Sequence, residues 1–134
     1  MLPVRIISHF NPDTLHSNPA FSQVIAVESP AKMIYIGGQN AVSRDGKIVG
    51  EDLATQSVRA LENVLTALES VGANQENVVK LTIYVRQDQP LEQAFSSAQR
   101  VWGAHPTTIS VVVVSGFANP QFLIEIDAVA AVEA

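Results

Sequence analysis

The spacing of apolar residues along this chain changes twice, and each change marks a different kind of element. Near the amino end the apolar runs are short. Val4 to Ile7, Val24 to Val27 and Met33 to Ile36 read as strands, with a turn at Ser29-Pro30 between the last two. His9 to Pro19 contains Asn11-Pro12 and Asn18-Pro19. A residue before proline is pushed out of the helical region, so this stretch reads as loop. Asp45-Gly46 is a hairpin signal between Asn40–Ser43 and Lys47–Val49.

From Asp52 to Val71 the period lengthens. Ala54, Val58, Leu61, Leu65 and Leu68, with Val64 and Val71 alongside, form the stripe of an amphipathic helix, with Asp52 as N-cap and Gly72 as left-handed C-cap. Lys80 to Arg86 returns to alternation: Leu81, Ile83 and Val85 point one way, Lys80, Thr82, Tyr84 and Arg86 the other. A second helix starts at Pro90, carries Leu91, Ala94 or Phe95, Ala98, and Val101 or Trp102, and ends at Gly103. Ile109 to Val114 and Leu123 to Val129 are the closing strands. This order predicts an α+β fold, one mixed sheet of about six strands with two α-helices packed on one face. Val111 to Val114 are apolar toward both faces, the pattern of a strand buried on both sides. Two helices cover only one face, so a second copy of the chain is expected on the other.

Composition sharpens this picture. Within 134 residues there is no repeat or linker-like tract, so 1–134 reads as a single domain. The chain is 47% hydrophobic and only 16% charged, which also points to surface covered by another chain. Eight basic and 13 acidic residues give a net charge of −5 with no basic stripe, so no nucleic-acid partner is expected. No signal-like leader is visible and the longest apolar run is too short to span a bilayer, so a soluble, cytoplasmic protein without a membrane partner is expected. The absence of cysteine excludes disulfides, thiolate-ligated zinc and a cysteine nucleophile.

Candidate chemistry is sparse. His9, His16 and His105 fall in expected loops without the ligand spacing of a metal site, and there is no G-x-S-x-G elbow. Gly37-Gly38 ends a strand; the pair reads either as backbone approaching a small anion or as a bulge, and the bulge is the commoner meaning. Glu125 and Asp127 lie two apart and share a sheet face. Such a pair serves either general acid/base chemistry or a solvated or interfacial face with ion pairs to Lys80 or Arg86. Phe95 and Trp102 read as core.

Several segments then converge in order and spacing: Phe21-Ser22-Gln23, Ile34 to Gln39 (IYIGGQ), Gly46 to Glu51 (GKIVGE), Gln56 to Leu68 around Ala60-Leu61-Glu62-Asn63, Val78 to Tyr84 (VVKLTIY), Pro106 with the strand after it, and Ile124 to Ala130 (IEIDAVA). Across some 110 residues the chain resembles the RidA/YjgF family. The resemblance implies a chorismate-mutase-like subunit that forms a homotrimer around a central barrel, with small-molecule clefts between subunits. It implies hydrolysis of reactive enamines and imines, such as 2-aminoacrylate, to a carbonyl compound and ammonia, with no metal or cofactor. Family members have also been described as ribonucleases, translation inhibitors and chaperone-like proteins.

Carried over residue by residue, the resemblance leaves an altered cleft. The family's carboxylate-binding arginine falls at Thr108, its tyrosine at Phe21, its cleft serine at Gly37 beside Gly38, its helix asparagine near Phe95 and its cysteine at Ser110. The glutamate that helps hold the attacking water is retained as Glu125. A threonine offers one hydrogen bond and no charge, so efficient 2-aminoacrylate turnover is not expected. Hydrolysis of another imine, metabolite binding without turnover, and a chaperone-like or interaction role are the alternatives.

Overall fold

The computed structural model describes residues 6–134, so Val4 and Arg5 of the expected first strand lie outside the described residues. Strand β1 (Ile7–Phe10) pairs antiparallel with β2 (Val24–Val27), placing His9, expected in a loop, opposite Ile25. Four longer strands follow: β3 (Ala31–Gln39), β4 (Val78–Arg86), β5 (Thr108–Val114) and β6 (Ile124–Glu133). They form a second sheet in the order β3-β6-β4-β5. The six strands thus divide between two sheets. The chain turns at Ser29-Pro30 between β2 and β3, where proline has no amide hydrogen to offer either ladder. The signal at Asp45-Gly46 produces a turn, with Gly46 at φ +79 and its amide bonded to the Ser43 carbonyl at 2.9 Å. Its expected flanking strands shrink to a single bridge between Val42 and Ile48.

Helix α1 (Leu53–Glu69) begins where Asp52 Oδ1 accepts the Thr55 amide at 2.7 Å. That bond holds the Asp52 carboxyl below its usual range. Gly72, at φ +74, closes the other end: its amide reaches the Glu69 carbonyl, and the Ala73 amide reaches Leu68. The buried face is rotated from the expected stripe. Leu53, Gln56, Ser57, Ala60, Leu61, Val64 and Leu68 are buried, while Ala54, Val58 and Leu65 are half-buried and Val71 is exposed. Gln56 turns inward because its amide is fully used, donating to the Gly50 and Gln121 carbonyls and accepting the Leu123 amide. Helix α2 (Leu91–Trp102) crosses between the parallel strands β4 and β5, burying Ala94 and Trp102.

Both helices pack on one face of the four-stranded sheet, against Ile34, Ile36, Leu81, Val85, Ile124, Ile126 and Ala128. By alternation the other face carries Met33 and Tyr35 from β3, Glu125 and Asp127 from β6, Lys80, Thr82 and Tyr84 from β4, and Thr108, Ser110 and Val112 from β5. Among the described residues no element covers it, and Tyr35 is 76% exposed. β5 lies at the sheet edge, so Val111, Val112 and Val113, expected to be buried on both sides, are exposed in the single chain.

Candidate active site on the open sheet face

Glu125 lies between Ile124 and Ile126, both buried against the helices, and is therefore turned to the open face. Its in-register neighbour on β4 is Tyr84. On its other side the ladder slips: Ile36 pairs with Ala128 but Gln39 with Ile126, so β3 carries one residue more than β6 and bulges at Gly37-Gly38. The bulge brings Gly38 against the Glu125 carboxylate. A Cβ at Gly38 would stand 2.6 Å from the carboxyl carbon and from Oε2, whereas one at Gly37 would meet nothing within 4 Å. Only Gly38 therefore gives up a side chain to make room for Glu125.

Asp127 and Tyr84 complete this acidic end. The Asp127 charge, then burial and a hydrogen bond to Asp127, and then the Glu125 charge hold the Tyr84 hydroxyl above its usual range, so it stays protonated beside the carboxylates. The ion pairs considered for this face do not form. Arg86 engages Asp88 through Nε at 2.7 Å and Nη2 at 3.0 Å and donates from Nη1 to the Pro120 carbonyl, while Lys80 Nζ donates to Ser110 Oγ at 2.7 Å.

The remaining candidates lie at different distances from this centre. Thr108 and Ser110 share the open face, in register with Lys80 and Thr82, but the Thr108 hydroxyl is engaged by the Val79 carbonyl. Phe21 sits in the loop before β2, bridged to Thr107, with the Ser22 amide bonded to the Thr107 carbonyl at 2.9 Å. It helps line a separate cavity of about 600 Å³ with His9, Asn18, His105 and Glu76. Phe95 is on α2, in the helical layer behind the sheet, and is 41% exposed rather than core. One chain thus joins Gly38 to Glu125, and Thr108 to Ser110, but brings neither Phe21 nor Phe95 to that face. Sequence reasoning placed Tyr84 and Lys80 on the outward row without marking them as site residues; the signal available was their alternation with Leu81, Ile83 and Val85. It also missed the His9 Nδ1 to Ser22 Oγ contact of 2.7 Å.

Two helices backed on one face of a mixed sheet, with polar side chains on the other, define an α+β fold of the chorismate-mutase-like kind. The model of the endoribonuclease L-PSP family matches residues 12–132, and the chain belongs to this family, also known as RidA/YjgF. A conserved Rid-family protein of unknown function, YyfB of Yersinia pestis, superposes with a TM-score of 0.85 at 30% identity, covering 96% of this chain and 100% of that one. A member of the YjgF family from Mycobacterium tuberculosis superposes at 0.65 with 26% identity, over 84% of this chain and 86% of that one. A RutC family protein of Aquifex aeolicus is 29% identical over 81% of this chain and 87% of its own. Another, of Pyrococcus abyssi, is 36% identical over 49% of this chain, a match that spans half of that relative.

Proposed function

We propose that copies of this chain assemble as a homotrimer through their open sheet faces and bind a small metabolite in the clefts between subunits, where Glu125 positions or deprotonates water for hydrolysis of an imine. In that step water oxygen bonds to the imine carbon while Glu125 accepts a water proton and passes it to the nitrogen; the carbon–nitrogen bond of the resulting carbinolamine then breaks as the hydroxyl proton is carried to the nitrogen by the same carboxylate, giving a carbonyl compound and ammonia and leaving Glu125 as it began. The observation that carries the reading is the Glu125 carboxylate seated in the space left by Gly38, beside Tyr84, on a face that no element of the described residues covers. No metal or cofactor is required for this chemistry. A cysteine-free chain suits the reducing cytoplasm, and no described helix is long and apolar enough to cross a membrane.

Thr108 supplies neither charge nor a free hydroxyl proton, so 2-aminoacrylate is expected to be a poor substrate. The test is an amino-acid-oxidase-coupled assay of keto-acid release from freshly generated imines. Slight acceleration, lost in Glu125→Gln while assembly persists, supports the reading; a rate matching an efficient deaminase overturns its substrate preference. The engaged Thr108 hydroxyl also favours a second reading, metabolite binding without turnover. Thermal shift by keto acids or aromatic acids, with no hydrolysis of any imine, would select it.

A further inference from the structure

Beside Glu125 the open face offers hydrogen-bond acceptors and almost nothing else. Tyr84, half-buried, stands opposite Glu125 in the β4–β6 ladder and diagonal to Asp127, which is in register with Thr82. A diagonal neighbour is within reach of an aromatic side chain, and the Tyr84 hydroxyl is hydrogen-bonded to the Asp127 carboxylate. An ionised carboxylate only accepts, so the phenol O–H is spent on Asp127 and the phenol oxygen is left to accept. Glu125, Asp127 and Tyr84 therefore present three accepting groups and no free side-chain proton. The charges agree with this. Lys80 donates to Ser110 Oγ at 2.7 Å, on the β5 side, and the ion pair within 4.0 Å among the described residues is Arg86–Asp88. Arg86 is further tied to the Pro120 carbonyl, and Thr108 brings no cation.

We infer that the site takes its imine as the cationic iminium, one N–H donated to the Tyr84 oxygen and the other to Asp127, so that Tyr84 sets specificity at the nitrogen end of the substrate. The inference rests on the proposed hydrolytic site and names its substrate class: an iminium unsubstituted on nitrogen and without a carboxylate of its own. A neutral imine nitrogen turns a lone pair toward three acceptors, whereas C=NH2+ carries two N–H groups and no lone pair, and its hydrogen bonds are charge-assisted. A substrate carboxylate would instead add negative charge beside Glu125 and Asp127. The hydrolytic step gains one proton throughout. Glu125 takes and returns a water proton as before, the iminium's own proton stays on nitrogen, and ammonium leaves in place of ammonia. The carbonyl product has lone pairs and no N–H, so these acceptors do not retain it.

The probe is acetamidinium, a planar C=NH2+ cation that stays charged at neutral pH, titrated into the full chain and followed by backbone amide chemical shifts, with neutral acetamide and anionic acetate as controls. Saturable shifts around Gly38 and Glu125 are expected for acetamidinium, with little or no binding of the controls. Affinity should fall about fivefold in Tyr84→Phe and about tenfold in Asp127→Asn, as loss of one charge-assisted hydrogen bond implies. Both variants are nearly isosteric, and the mass of the assembly, measured alongside, should not change. Where one variant does not assemble, the other carries the test. No saturable binding by wild type, equal binding of acetamidinium and acetamide, or undiminished binding in either assembled variant overturns the inference. So does loss of assembly in both, because Tyr84 and Asp127 would then serve contact between copies. The two proposals fail separately: Tyr84-dependent acetamidinium binding by a chain that hydrolyses no imine removes the catalytic reading alone, whereas imine turnover indifferent to Tyr84→Phe and Asp127→Asn removes this one alone.

Discussion

At the scale of single residues, the site is a matter of what is missing beside what is present. Glu125 was legible because it shares a sheet face with Asp127 two residues on and falls where the family resemblance carries its water-holding glutamate. Its dependence on Gly38 was not, since the two are brought together by ladder pairing that local spacing does not encode. Gly38→Ala tests the arrangement. The added methyl would meet the far end of a flexible side chain, so Glu125 is expected to swing away with a stability loss of about 1 kcal/mol, the low end of overpacking costs. Imine turnover should then fall as in Glu125→Gln, although the carboxylate remains; unchanged turnover with a displaced Glu125 in a crystal structure would separate the residue from the chemistry. Asp88 offers a prediction of a different kind. The Arg86 hydrogen bonds, with help from Gln89, hold its carboxyl at about 2, below the ordinary 3.8. Because the folded value is the lower one, the contribution of the pair is present above pH 3.8 and fades as pH falls toward 2. Asp88→Asn should flatten that part of the stability profile in urea titrations at a series of pH values.

At the scale of elements, periodicity located both helices and the long strands, and the caps at Asp52 and Gly72 act as the sequence implied. What it misjudged was the rotation of α1. A hydrophobic stripe assigns burial by residue type, and Gln56 and Ser57 read as polar. The Gln56 amide is nevertheless buried because it ties α1 to the Gly50 loop and to the start of β6, near Ile124. Its partners lie up to 67 residues away, so no local pattern reveals them. Gln56→Leu keeps much of the volume but leaves a buried amide and two carbonyls without a partner. A loss of about 2–4 kcal/mol is expected from chemical denaturation at fixed protein concentration, following the cost of stranded buried groups. A loss below about 0.5 kcal/mol, within the range of neutral surface changes, would show that water takes over these bonds. The bulge at Gly37-Gly38 was the commoner reading of the glycine pair, and the structure adds that the bulge is what delivers Gly38 to Glu125.

At the scale of the whole molecule, the number of strands and the one-sided placement of the helices could be read from the sequence, while the division into two sheets and the strand order could not. Those depend on which edges pair, and apolar alternation is silent on that. The valines of β5 illustrate the difference: four in a row imply burial on both sides, yet the chain alone leaves three of them exposed at a sheet edge. Tyr35, Met33 and Val112 are likewise exposed on the open face. An apolar and polar face of this extent is accounted for if copies of the chain meet there, and the proposed cleft exists only if they do. Sedimentation equilibrium at low micromolar concentration tests that claim most directly. A mass of three 14.4 kDa chains is expected, and a species with the mass of one chain would overturn the assembly.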